Sequence, residues 1–257
     1  MAESTIVLYD IPFAEPNICW SPNTWKTRCV LNYEGLAYRT EWIEYPDIEA
    51  LCIKIGAAPT GVKDDGTTPE YTLPVIHDPF TGQTISDSFD IAIYLHNTYP
   101  DTPRLFPPGT RALQSAFVQY VNFRVQTRLG QFLRPAVFHK LPLGKSQEYF
   151  RRTREALYNV KIEEWAPTGE DRVQKWKGVE MDLVLLDKHY KLAKEEVGGD
   201  FIYGVDPTFG DFALASIFQW CKQGFGVESK EWMNILTWQN GRWRKFIESL
   251  DRYTLIV

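Results

Sequence analysis

The stretch PDTPRLFPPGT, residues 100–110, holds four prolines and divides the chain into two unlike halves. Proline fixes φ and carries no backbone N–H, so neither a helix nor an inner strand runs through such a segment. Before it, short apolar runs alternate with Gly, Pro and Asp clusters. After it, apolar residues recur at three- and four-residue spacings over stretches such as RALQSAFVQYVNFRVQTRLGQFLRPAVF and RVQKWKGVEMDLVLLDKHYKLAKEEVG, the pattern of amphipathic helices. The 257 residues suffice for two ordinary domains. We expect an α/β domain over 1–100, a linker over 101–110 and an all-helical domain over 111–257.

Within the first half, TIVLYD reads as a strand, and Pro22 to Glu34 as a helix opened by Ser21-Pro22 and closed by Gly35. LAYRTEWIEY, Leu36 to Tyr45, alternates and predicts a second strand. PDIEALCIKIG predicts a helix with Pro46 at its first position and Gly56 past its end. Ala57 to Glu70 is a long connection with a hairpin turning at Asp65-Gly66. YTLPVIHD and GQTIS predict two strands joined through DPFTG, and DSFDIAIYLHNTY predicts the next helix.

Several classes of function are disfavoured. The net charge is −5 and no Lys/Arg run occurs, which argues against nucleic acid. MAESTIVLYD lacks a basic segment followed by a long apolar one, so no secretory signal is read. The longest apolar run, around FALASIFQWC, is too short to cross a bilayer. Cys19, Cys29, Cys52 and Cys221 are widely spaced, and the four histidines show no metal-ligand spacing, so no metal is assigned. Free thiols in a reducing compartment, and a cytoplasmic location, are expected. Aromatics are high at 14%, with nine Trp; core filling explains most of them, and the excess suits a broad aromatic pocket.

Three local patterns carry chemistry. Ser21 stands where a helix begins, as an N-cap for its own backbone or as a donor to a bound anion. Pro74, inside TLPVIHD, marks a strand edge or start. If its peptide is cis, the backbone of Val75 is turned toward an extended, peptide-like ligand. Asp87 and Ser88 sit where a strand gives way to a helix, and either cap it or build an anion site with its free N–H groups.

Taken in order, Ser21 at the first helix, L-P-V at Pro74 and Asp87-Ser88 at the third helix resemble the glutathione transferase superfamily. PTFGDFALAS, Pro207 to Ser216, resembles that family's capping-box helix, with Thr208 and Asp211 in a T-x-x-D arrangement. LYDIPFAEPNICWSPNTWKTRCVLNYEGLAYRTEWIEYPDIE is similar to the fungal-specific class A glutathione transferases of wood-decaying basidiomycetes, relatives of bacterial β-etherases. The resemblance implies a thioredoxin-like glutathione-binding domain followed by an all-helical domain that builds the pocket for a hydrophobic co-substrate. It implies a cis Pro74, with Val75 pairing the cysteinyl backbone of glutathione. Ser88 would take the γ-glutamyl carboxylate and Asp87 its ammonium, although the family more often has Glu where Asp87 stands. It also implies a homodimer shaped by Ala57 to Glu70, and flavonoid-like or polycyclic aromatic ligands.

On this reading Ser21 donates its hydroxyl to the glutathione sulfur, Asn23 supplies a second donor, and the helix N-terminus lowers the thiol pKa. Cys19 is the rival nucleophile of a glutathione-dependent thiol reductase, although it precedes the helix by two residues. For the second substrate, Phe117, Tyr120, Phe123 and Arg124 could line a cleft against the first domain, or serve the core. Trp25 either borders the pocket or staples the first helix. The expected activity is conjugation or cleavage of hydrophobic aromatic compounds, with ether cleavage or peroxidase chemistry on the side. The alternative is a ligandin that sequesters them and turns over little.

Overall fold

The structure, a computed structural model, describes residues 5–256; Val257 and the first four residues of MAESTIVLYD, on which the signal reading rests, lie outside the described residues. β1 (Ile6–Asp10) is buried at every position because it is an inner strand. On one side it pairs in parallel with β2 (Tyr38–Trp42), and on the other antiparallel with β5 (Val75–Asp78). A parallel pair needs a crossover, which α1 (Pro22–Glu34) supplies. Before β5 come a 3-10 turn (Tyr45–Asp47), α2 (Ile48–Lys54) and a small hairpin of β3 (Gly61–Val62) and β4 (Pro69–Glu70). β6 (Gln83–Ser86) completes a four-stranded sheet of order β2-β1-β5-β6, and α3 (Ser88–Thr98) packs on α1.

Two local expectations shift. The second strand is shorter than Leu36 to Tyr45: Ile43 N–H makes the last rung of the parallel ladder to Asp10 O at 2.7 Å, and the chain then tightens into the 3-10 turn. Pro46 therefore opens that turn and not α2. The hairpin turns at Asp65-Gly66 as expected. Asp65 Oδ1 accepts from Thr67 N at 2.9 Å and Thr68 N at 2.8 Å, and Gly66 takes a φ of +73°.

Beyond residue 110 the chain is helical. α4 (Arg111–Val121) passes through a π-helical turn (Asn122–Gln126) into α5 (Thr127–Phe138). α6 (Lys145–Tyr158), α7 (Ile162–Trp165), α8 (Gly169–Val197), α9 (Phe209–Phe225) and α10 (Lys230–Leu250) follow, the last interrupted by non-helical backbone over Trp238, Gln239, Asn240 and Gly241. α9 packs against α1, α4, α5 and α10, so it joins the helical half to the helix that carries Ser21. The buried apolar side chains of both halves form one contiguous cluster.

α9 begins with its capping box in place. The Asp211 carboxylate accepts from Thr208 N at 2.9 Å, Ile202 N at 3.0 Å and the Tyr190 hydroxyl at 3.0 Å, all in the interior. Among the described residues no helix is long and apolar enough to cross a membrane, and no group of three His, Cys, Asp or Glu could hold a metal ion.

Candidate active site

Ser21 ends the loop from β1 with extended backbone, and Pro22 opens α1 without wasting an N–H. The Ser21 oxygen accepts from Asn23 N at 3.3 Å, so its lone pair serves the cap. The hydroxyl hydrogen is not spent in that bond. Capping and donation to a ligand thus use opposite ends of one hydroxyl. Ser21 is only 5% exposed, yet it lines a cavity of about 520 Å³.

The helix is anchored from below. Arg28 Nη2 pairs with Asp10 Oδ2 at 2.8 Å, with both side chains fully buried, and Arg28 also donates to the Tyr38 hydroxyl and Thr40 Oγ1. The guanidinium faces the rings of Trp25, Tyr38 and Trp42 at 5.6 to 5.8 Å. This cluster ties α1 to both strands of the parallel pair and sets where its N-terminus points.

A second cavity of about 320 Å³ adjoins the first, with Asn23, Thr72 and Leu73 in the walls of both. Its lining brings together Asn23, Pro74, Asp87 and Ser88 of the expected site, with Lys26. The Leu73-Pro74 peptide is cis. Asp87 caps α3, its Oδ1 accepting from Phe89 N at 2.7 Å and Asp90 N at 3.3 Å. It does so with a φ of +71°, a region that L-residues seldom occupy and that is often held for function. Its Oδ2 and the Ser88 hydroxyl have no hydrogen-bond partner among the described residues, which leaves a carboxylate oxygen and a hydroxyl facing the space.

Val75 does not sit as expected. It is fully buried within the sheet, opposite Tyr9 on one side and Ser86 on the other, and lines neither cavity. Its place at the opening is taken by Leu73, which precedes the strand, borders both cavities and has no backbone hydrogen bond among the described residues. The free backbone therefore lies before the proline and not after it.

The residues expected for the second substrate are also placed elsewhere. Trp25 is buried in the core, its Nε1 donating to Cys19 O at 3.0 Å. Tyr120 meets His189 edge-on at 5.8 Å, Phe117 meets Tyr190 at 6.4 Å, and Arg124 pairs with Asp182 at 3.2 Å, all three directed at α8. Phe123 is 76% exposed and touches neither cavity. The reason is helical phase. α4 turns Ser115, Val118, Gln119 and, through the π-helical turn, Asn122 toward the smaller cavity. Phe117 and Tyr120 occupy another face, and there they pack the bundle.

What encloses the larger cavity comes from segments the sequence does not connect. Tyr45 and Ile48 lie before and on α2, and Tyr149, Arg152, Thr153, Arg154 and Leu157 lie on α6. Tyr45 and Tyr149 stack at 5.8 Å with an interplanar angle of 11°, so one wall is an aromatic pair. Burial pushes the Tyr45 phenol up to about 12, against the nearby Arg154 charge.

Cys19 lies fully buried, its sulfur 3.5 Å from Thr24 Oγ1, and desolvation raises its thiol pKa well above the ordinary value. A thiol so placed is inert at neutral pH.

Comparison with known proteins matches residues 20–98 to the family model "Glutathione S-transferase, N-terminal domain" and residues 112–253 to "Glutathione S-transferase, C-terminal domain". The crystal structure of glutathione transferase GSTFuA3 from Phanerochaete chrysosporium is 45% identical, with a TM-score of 0.91 and coverage of 98% of both chains. The glutathione S-transferase CsGST63524 of Ceriporiopsis subvermispora, solved in complex with glutathione, is 42% identical, with a TM-score of 0.91 over 98% of this chain and 99% of that one. The glutathione S-transferase-like protein ustS of Aspergillus flavus is 29% identical over 94% of this chain and 88% of its own length.

Proposed function

Because the chain belongs to the glutathione S-transferase family, with resemblance to the class of fungal GSTFuA enzymes from wood-decaying basidiomycetes, we propose that it binds glutathione in the smaller cavity and transfers its sulfur to an apolar aromatic electrophile in the larger one. The observation that carries this is the position of Ser21. Its unspent O–H stands at a helix N-terminus, beside the wall the two cavities share. On this reading glutathione lies with its glutamyl end at Asp87 and Ser88, its backbone at Leu73 and its sulfur at that hydroxyl, as the shared lining of Asn23, Thr72 and Leu73 supports.

A thiol in water titrates near 8.5. A hydroxyl donor and the positive end of α1 favour the anion, so the proton leaves to solvent and the thiolate remains. The thiolate then forms a bond to the electrophilic carbon, and the electron pair of the broken bond departs with the leaving group or protonates after addition. Conjugation and aryl-ether cleavage share that attack. A cavity of about 520 Å³ with one stacked-tyrosine wall accommodates a multi-ring acceptor, which also supports a ligandin role. The buried Cys19 argues against the thiol-reductase alternative.

The test pairs calorimetry with rates. The protein should take up glutathione and conjugate a reactive aryl halide above background, and Ser21→Ala should keep most of the uptake while losing kcat/KM about 100-fold, as for removal of one oxyanion donor. Uptake of glutathione with no conjugation, alongside displacement of an aromatic dye, would favour the ligandin role.

A further inference from the structure

Lys26 lies on α1 one turn beyond Ser21 with 3% of its surface exposed, a rare setting for an ammonium. Its Nζ donates to Asn23 Oδ1 at 3.2 Å, and both side chains line the smaller cavity. Among the described residues no carboxylate lies within ion-pair distance of it. Burial brings its pKa down to about 8, with the Asp87 charge at the start of α3 acting in the other direction. Lys26 is therefore a desolvated cation held beside an open site with no fixed counter-ion.

An ammonium can only donate, whereas a primary amide has one accepting and one donating end. Lys26 therefore fixes the Asn23 amide with its oxygen turned inward. The donating end, Nδ2, makes no hydrogen bond among the described residues. Asn23 is exposed and borders both cavities, as Ser21 borders the larger. Were the amide reversed, its oxygen would meet an incoming anion and repel it.

We infer that Lys26 is a positioning residue for the sulfur of glutathione, holding the Asn23 amide in the one orientation that donates to a thiolate and so providing a second donor beside Ser21. The inference rests on the glutathione reading given above. It assigns the buried cation to the acidity of the bound thiol, by way of Asn23, and not to peptide affinity.

The experiment is a pH titration of the thiolate ultraviolet absorbance of glutathione bound to the protein, with binding followed separately by calorimetry. Lys26→Met and Asn23→Ala should each raise the thiol midpoint by about one pH unit, equal to a tenfold loss of thiolate well below the midpoint. Lys26→Arg, which keeps a donor-only head, should restore most of the shift. Combining Lys26→Met with Asn23→Ala should add nothing to either alone, as residues acting through one contact require. Should Lys26→Met not fold, Asn23→Asp serves. It keeps an acceptor for Lys26 but has no donor, and its midpoint must rise at least as far as that of Asn23→Ala. Additive shifts in the double variant, or an unmoved midpoint in Lys26→Met or Asn23→Asp with glutathione bound, would overturn the inference while leaving the glutathione site intact. Absence of glutathione uptake by the folded wild-type protein would overturn both.

Discussion

The Ser21 hydroxyl oxygen accepts from the backbone N–H of Asn23 at 3.3 Å and so caps the helix without using its own hydrogen. The two duties can be separated by substitution. Asp caps as well as Ser does but has no O–H at neutral pH, whereas Ala does neither. Ser21→Ala should lose about 1 kcal/mol of stability in urea unfolding together with its conjugation rate. Ser21→Asp should unfold nearer to wild type and be at least as inactive. An active, folded Ser21→Asp protein would show that the hydroxyl proton has no part in the chemistry.

Cys19 should be chemically silent. All four cysteines are buried, and the Cys19 thiol is raised well above its usual range by desolvation. Cys19→Ser should keep glutathione-dependent turnover within about twofold of wild type, since a surrogate hydroxyl still meets Thr24. Mass spectrometry after iodoacetamide treatment should find Cys19 unmodified in the native protein and modified in urea. Rapid native labelling at Cys19 would contradict this placement.

Stability should fall as pH rises through the neutral range, because of Glu34. This last residue of α1 is 4% exposed, and neither carboxylate oxygen has a hydrogen-bond partner, so desolvation raises its pKa from 4.5 to about 8. Below the unfolded-state value both states are protonated and nothing is lost. Between about 4.5 and 8 the unfolded chain releases a proton that the folded one retains, which costs stability at up to about 1.4 kcal/mol per pH unit. Glu34→Gln should therefore match wild type at pH 4 and exceed it by about 4 kcal/mol at pH 8 in denaturant unfolding. Parallel pH curves for the two proteins would rule the explanation out.

Breaking the Asp10–Arg28 pair from one side should be severe. Arg28→Met leaves the Asp10 charge in the interior, with Ile11 N–H at 2.7 Å as its remaining partner, at a cost of about 3–5 kcal/mol. Adding Asp10→Asn keeps that acceptor and removes the charge, and should restore more than half of the loss. Equal stability of the single and double variants would show that the charge is not what matters.

What could be read from the sequence was whatever backbone chemistry dictates locally. Ser21-Pro22, Gly35, Asp65-Gly66, Asp87-Ser88 and the Thr208–Asp211 pair each occupy the position that their hydrogen-bonding or φ preference suits. Leu73 against Val75 is a matter of two positions, decided by where β5 joins the sheet, which no composition reveals. The larger cavity was hidden for a different reason. Tyr45 and Tyr149 are about a hundred positions apart, and only the docking of α6 on the 3-10 turn brings their rings together. The aromatic stripe of α4 misled because amphipathic spacing says that a face is covered without saying by what. Here α8 covers Phe117 and Tyr120, Phe123 stands exposed, and the polar stripe of Ser115, Gln119 and Asn122 faces the cleft.

The partition formed by Asn23, Thr72 and Leu73 belongs to two compartments at once. Any adduct formed across it keeps a hold in each room, so its departure requires letting go of both in a single event. On the proposed reading, egress rather than bond making is then the expected slow step for bulky acceptors, and the free adduct is expected to compete with fresh peptide and fresh arene alike.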